Sequence, residues 1–521
     1  MFRFRQLLAA ALFLMMPALA SAQSFAIDDP IVRAIWTEGT DRSQVERLAQ
    51  TLADSIGPRL TGSPGMESSQ EWIVANYHAW GIDARNERYG TWKGWRRGYT
   101  HLDLIRPRTR SLDAMLLAWS PGTERAVEAQ AILLPEPGDD LAAWRRRARG
   151  KFVLTSFPQP TCRPTTQWTE FGGDSMSARL TRDVAAQRDA WNERVSALVA
   201  TSDSLNNHLL SLGVAGVVTS NWTGGYGAHR VFGVRENARV PFVAVDCEDY
   251  GLIARLAANG QGPTLRLDAR AENLGTVPVA NTIGVIRGSE LPDEYVMLSA
   301  HLDTWDGASG ATDNGTGTVI MMEAMRILRA VYPNPRRTIM VGHWSGEEQG
   351  LNGSRAFTHD HPEIVAGLQA LFNQDNGTGA ITRVSMQGLT RAGSRFVHWL
   401  SYVPAELSGR IDLTIPGTPG GGGSDYASFV CHGAPGFSLG ADSWDYFATT
   451  WHTNLDTFDK VALQNVRENA ILVATLAYAA SEDPERVGRE RRAVMPESSQ
   501  GVATEWPTCR DGMRSWEAYA R

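Results

Sequence analysis

The chain has 521 residues, 43% hydrophobic and 21% charged, with a formal net charge of −7. This is a globular composition, long enough for two or three cores, and its acidic balance argues against a nucleic-acid partner. After the amino-terminal segment, no apolar run approaches the roughly 20 residues that a membrane helix requires.

Arg3 and Arg5 precede an apolar stretch from Leu7 to Leu19, and Ala20-Ser21-Ala22 offers a cleavage site before Gln23. This reads as a secretory signal peptide over residues 1–22, too short and too interrupted by Pro17 to be a permanent anchor. The mature protein is therefore expected to be secreted or periplasmic and free of membrane. Export places Cys162, Cys247, Cys431 and Cys509 where disulfides form, and all three complete pairings remain open.

Residues 43 to 80 read as helical. Between Ala129 and Leu274 the character changes: Lys151 to Thr155, Gly213 to Thr219 and Val240 to Val245 are short β-branched runs, none carrying a set of metal ligands. Glu248-Asp249-Tyr250-Gly251 opens a helix. Residues 176–210 are polar and helix-compatible, read as either a hairpin lid over the active site or a surface elaboration.

The chemistry-bearing pattern begins at Tyr295 to Ala300, an apolar run expected to be a buried strand with His301 at its carboxyl end. Asp313 follows across one loop, and Val319, Met322, Met325 and Leu328 then recur at helical spacing, with Asp313 or Asn314 as the cap. Thr338 to Gly342 repeats the arrangement and leads to Glu347-Glu348. Leu368 to Phe372 repeats it again and leads to Asp375. Strands alternating with helices imply a largely parallel sheet, which binds ligands outside its strands' carboxyl ends.

Imidazole and carboxylate without thiolate suit zinc, though cobalt or manganese could occupy the same site. His301, Asp313, Glu348, Asp375 and His452 are the candidate ligands of two divalent cations, with Asp313 as the bridge. Asp313, Glu348, Asp375 and one bound hydroxide would neutralise the pair. Asp303, two residues after His301, is placed to orient that imidazole. Glu347 points away from its coordinating neighbour Glu348 and is the candidate general base.

The sequence here resembles the bridged-dizinc exopeptidases, the group of bacterial leucyl aminopeptidase and the glutamate carboxypeptidases, and within it the plasma glutamate carboxypeptidase type. The likeness rests on His301-x-Asp303-x-Trp305-Asp306, Gly-Ala-x-Asp313, Glu347-Glu348-x-Gly350-x-x-Gly353-Ser354, Asp375, Gly423-Ser424-Asp425, His452 and the early run Ile56 to Ser63. It covers most of residues 40 to 470. It implies an α/β fold in which helices sandwich a mostly parallel mixed sheet, with an inserted β-rich protease-associated domain. The implied order is a signal peptide (1–22), a first catalytic part (23–128), the insert with its helical elaboration (129–275), a second catalytic part carrying the metal site (276–485) and a tail (486–521). Two departures stand out. Asn314 replaces an acid common in relatives, and Trp451 precedes His452 where some relatives place an oxyanion-steadying tyrosine, a role left to Tyr426 or Tyr446.

The expected activity is hydrolysis of short peptides by metal-bound hydroxide, as an aminopeptidase or as a dipeptidase or carboxypeptidase, and a homodimer is compatible with this reading. Two alternatives use the same scaffold: a single-zinc glutaminyl-cyclase-like acyltransferase, and a non-catalytic binding protein. Gly436-Phe437-Ser438-Leu439-Gly440 fits a serine-hydrolase elbow, but no helix is expected after the serine. His343, His359, His361, His398 and His432 read as surface or satisfied core residues. Trp305, Trp344 and Trp451 read equally as pocket wall or core.

Overall fold

The long strands β1 (Asp83–Arg106) and β2 (Thr264–Ile286) form an antiparallel ribbon. They belong to a computed structural model describing residues 28–199, 204–497 and 504–521; the expected signal peptide lies outside these. The three apolar runs ahead of the candidate ligands are strands: β3 (Leu291–His301), β4 (Arg337–Trp344) and β5 (Leu368–Asn373). With β6 (Gly436–Ala441) they lie in the order β6-β5-β3-β4, each pair parallel, and β2 closes the row antiparallel to β4. The sheet is thus mixed and mostly parallel at its centre, with the carboxyl ends of β3, β4 and β5 on one side.

Alternation along β3 fixes which helices cover which face. Val296, Leu298 and Ala300 face a core shared with α1 (Thr316–Val331) and, further along the chain, the buried helix Leu463–Glu482. Met297 faces the opposite core with Met340, Trp344 and Phe357, the last from α2 (Asn352–Asp360). Both faces are buried, which is why β4 is an uninterrupted buried strand rather than an alternating one. Trp344, fully buried and donating its indole N–H to Ser299 Oγ at 2.8 Å, is core and not pocket wall.

The first half of β2 pairs with Val127–Leu133, and a smaller sheet continues through Phe152–Leu154, Gly216–Thr219 and Phe242–Val245. The three β-branched runs are therefore strands, and Cys247–Ala258 is the helix expected after them. The helix-compatible segment forms Thr165–Val199, kinked at Gly173, whose Trp191 and Leu198 pack onto this smaller sheet. None of its residues lines the cavity beside the candidate ligands. Disulfides join Cys162 to Cys247 and Cys431 to Cys509. Ser438 lies inside β6 with no helix after it, so the serine-elbow geometry is absent there.

Candidate metal centre and active site

Parallel strands deliver their following residues to one edge, and the loops there gather the candidate ligands. His301 ends β3; Glu347 and Glu348 follow β4; Asp375 follows β5. Asp313 sits just before α1, where Asn314 Oδ1 accepts the N–H of Gly317 at 3.1 Å and caps the helix. His452 arrives from far along the chain with φ of 61°, a left-handed conformation that costs a non-glycine residue about 1 kcal/mol. Its carbonyl accepts the Val231 N–H at 2.8 Å, and its ring stacks on Trp451, so surrounding contacts hold it there.

The five side chains form two triads that share Asp313: His301, Asp313 and Asp375; and Asp313, Glu348 and His452. His301 Nε2 lies 3.0 Å from Asp375 Oδ1 and 3.4 Å from Asp313 Oδ1. His452 Nε2 lies 2.8 Å from Glu348 Oε2 and 3.1 Å from Asp313 Oδ2. Glu348 Oε1 is buried with no hydrogen-bond partner, and Asp313 Oδ2 is buried with only the His452 imidazole beside it, which is costly for carboxylates unless a cation meets them. Nitrogen and oxygen donors converging on orphaned acids fit divalent cations of the zinc type.

Electrostatics say the same. Burial alone would hold His452 down, but Glu348 and Asp313 outweigh it and push its imidazole up to about 10. Burial likewise opposes protonation of His301, yet Asp375, Glu347 and Asp313 raise it well above the ordinary histidine range. Burial would raise Asp313, but its contacts with the two imidazoles hold it well below the usual carboxylate range. Burial pushes Glu348 up to about 7, and it raises Glu347 well above the ordinary value, helped by the nearby acids. A pocket with this appetite for positive charge binds protons or metal, in competition.

Asp303 orients His301 as its spacing suggested, but through its backbone, and its carboxylate does a second job. Its main-chain carbonyl, not its carboxylate, faces His301 Nδ1, at 2.9 Å against 3.9 Å. The carboxylate instead accepts the backbone N–H groups of Glu347 at 3.1 Å and Glu348 at 3.2 Å, and the Thr61 hydroxyl at 3.3 Å. The residue thus clamps the Glu347-Glu348 loop while its backbone fixes the His301 tautomer.

Two further residues escaped the sequence reading. Asp456, fully buried, accepts the N–H groups of Thr312 at 2.7 Å and Asp313 at 3.0 Å, setting where Asp313 points. Arg59 donates to the carbonyls of Leu302, Ser309 and Gly310, each at 2.8 Å, and so shapes the loop between His301 and Asp313. Arg59 lies within the motif at 56–63, but nothing local announces its partners. A cavity of about 660 Å³ opens over the cluster, walled by Tyr426, Tyr446, Phe447, Trp451, Arg355 and Arg510. Trp451 is therefore pocket wall, whereas Trp305 packs in the core against Trp119.

Residues 281–477 match the model of Peptidase family M28. The chain is 25% identical to carboxypeptidase Q of Homo sapiens over 461 residues, covering 88% of this chain and 89% of that one. A peptidase M28 precursor of Shewanella amazonensis superimposes with TM-score 0.65 at 22% identity, covering 88% of this chain and 97% of the other. A zinc aminopeptidase of Bacillus subtilis does so with TM-score 0.54 at 18% identity, covering 86% and 96%. At those identities the two structures speak for the fold alone, a helix-flanked mixed sheet, and the family match speaks for the chemistry. Residues 281–477 thus resemble peptidase family M28, most of the chain resembles carboxypeptidase Q, and the protein is a metallo-exopeptidase.

Proposed function

We propose that the protein is an exported, zinc-dependent exopeptidase acting on short peptides, with His301, Asp313, Glu348, Asp375 and His452 holding two cations and Glu347 as general base. The observation that carries this is Asp313, one carboxylate common to both triads, next to the partnerless Glu348 Oε1. When bound, the cation pair polarises the scissile carbonyl and lowers the pKa of the attacking water. Glu347 takes the proton of that water on its carboxylate and hands it to the departing amine. Asp303 keeps Glu347 and Glu348 aimed apart by gripping their backbone N–H groups.

Two disulfides support the exported location, since such bonds persist in oxidising compartments. No helix among the described residues is long and apolar enough to cross a membrane. In the same reading residues 129–275 form a protease-associated insert whose segment around Val231 buttresses His452. Metal analysis of the purified protein is expected to return near two ions per chain, and chelation to abolish turnover. Glu347→Gln is expected to fold, keep its metal and lose about 10²–10⁴-fold in kcat, the usual range for a general base. A Glu347→Gln variant of near-native activity would remove the base assignment; one metal per chain would favour the acyltransferase alternative.

A further inference from the structure

The carboxy-terminal tail lies beyond residues 281–477, the part matched by the family model, yet it reaches the cavity. Four kinds of contact hold it there. Trp506 donates its indole N–H to the carbonyls of Val430 and Cys431, at 3.1 and 3.2 Å. Cys509 is bonded to Cys431. Gly512 passes so close to α2 that a Cβ there would sit 2.3 Å from the Asn352 carbonyl, and the Met513 N–H bonds Asn352 Oδ1 at 2.9 Å. Arg514 then pairs with Asp360 at 2.7 Å. Between the disulfide and the Asn352 contact stands Arg510, exposed at the cavity wall.

Arg355 lines the same cavity from α2, half-buried, its guanidinium donating to the Gly350 carbonyl at 2.9 Å. Among the described residues no carboxylate lies within ion-pair distance of either arginine, unlike Arg97, Arg326, Arg337 and Arg395, each of which is paired. Burial, and then the like charge of Arg510, hold the Arg355 guanidinium below its ordinary value. Two cations that face one cavity and repel each other are stabilised by any anion that enters between them. The carboxylates of the cavity, in contrast, are taken up by the metal-type cluster and Glu347. The wall of Gly421 to Gly423 beside the arginines carries no side chain, and a Cβ at Gly422 or Gly423 would meet nothing within 4 Å, which leaves room for a substrate end.

Building on the exopeptidase reading, we infer that Arg355 and the tail-borne Arg510 bind the free carboxylate of the substrate, so that the enzyme acts on dipeptides and other peptides whose carboxyl terminus lies close to the scissile bond. The tail then belongs to the substrate site, and Cys431–Cys509 keeps Arg510 in place. Arg510 discriminates among substrates; it takes no part in the proton transfers.

The test compares a free dipeptide of two alanines with its carboxamide on the full-length metal-loaded enzyme. The acid is expected to exceed the amide in kcat/KM by about ten- to a hundredfold, the scale of one or two charge-assisted hydrogen bonds. Arg510→Gln and Arg355→Gln are each expected to lower that ratio about tenfold, chiefly through KM for the acid, and Arg510→Lys to restore part of it. A purely structural role for either arginine would depress acid and amide alike and leave the ratio where it was. A wild-type ratio near one, or a ratio unmoved by both glutamine variants, overturns the carboxylate site while leaving the peptidase standing. Hydrolysis of neither substrate overturns both.

Discussion

Replacing Arg59 by methionine tests whether the loop between His301 and Asp313 is held from outside. The guanidinium is fully buried, and burial lowers its pKa to about 10, still protonated at neutral pH. It satisfies the carbonyls of Leu302, Ser309 and Gly310 in the loop, and also Gly57 at 3.1 Å. Methionine fills much of the volume but donates nothing, leaving the three loop carbonyls unmet at about 1–2 kcal/mol each. The expected loss is about 3–6 kcal/mol, softened where the loop swings out to water, and comparable with much of a typical domain's stability of roughly 5–15 kcal/mol. Arg59→Lys keeps the charge and reaches fewer carbonyls, so it falls between. Urea unfolding with and without added zinc measures the loss, and the zinc-free protein is expected to show it undiminished. Chelator competition is expected to show faster metal loss, because His301 and Asp313 no longer share a fixed frame. Should Arg59→Met match the wild type within about 1 kcal/mol and retain its metal equally long, the loop is self-supporting and Arg59 does not hold it.

Asp456→Asn keeps one acceptor oxygen but turns an amide N–H toward a backbone N–H, so one of the two bonds to Thr312 and Asp313 is lost. The expected cost is about 1–3 kcal/mol, with faster metal loss to a chelator; unchanged metal retention would remove Asp456 from the site's support. His343, which pairs with Ala300 one residue before His301, gives a pH prediction. Burial lowers its pKa to about 3, and its Nε2 sits 2.7 Å from the Tyr77 hydroxyl, which donates to the neutral ring. The unfolded chain protonates near pH 6.5 while the native ring does not, so its contribution is present above pH 6.5 and is lost as pH falls toward 3. The slope is about 1 kcal/mol per pH unit, and His343→Gln is expected to abolish that share when unfolding curves at pH 7 and 5 are compared. An equal pH dependence in both proteins would refute it.

The strand ends that carry His301, Glu348 and Asp375 were legible in the sequence because each follows a short apolar run. A strand buried on both faces has no choice but to be apolar throughout. The cap at Asn314 and the helix after it were legible for a similarly local reason, the spacing of Val319, Met322, Met325 and Leu328. From β3, β4 and β5 the parallel sheet follows, and with it the edge on which acids and imidazoles collect. Adjacency placed Asp303 against His301, and the contact is made by its carbonyl, which a residue two positions after a histidine presents as readily as its carboxylate.

The pairings that join distant parts of the chain are set by tertiary packing. Asp456 meets the backbone of Asp313 across 143 positions, and Arg59 meets Gly310 across 251. The bond between Cys431 and Cys509 brings Arg510 beside Arg355. Composition and periodicity describe what a segment buries, which is a local property. The partner of a buried charge depends on which loops the packed sheet leaves side by side, and no pattern within either segment records it.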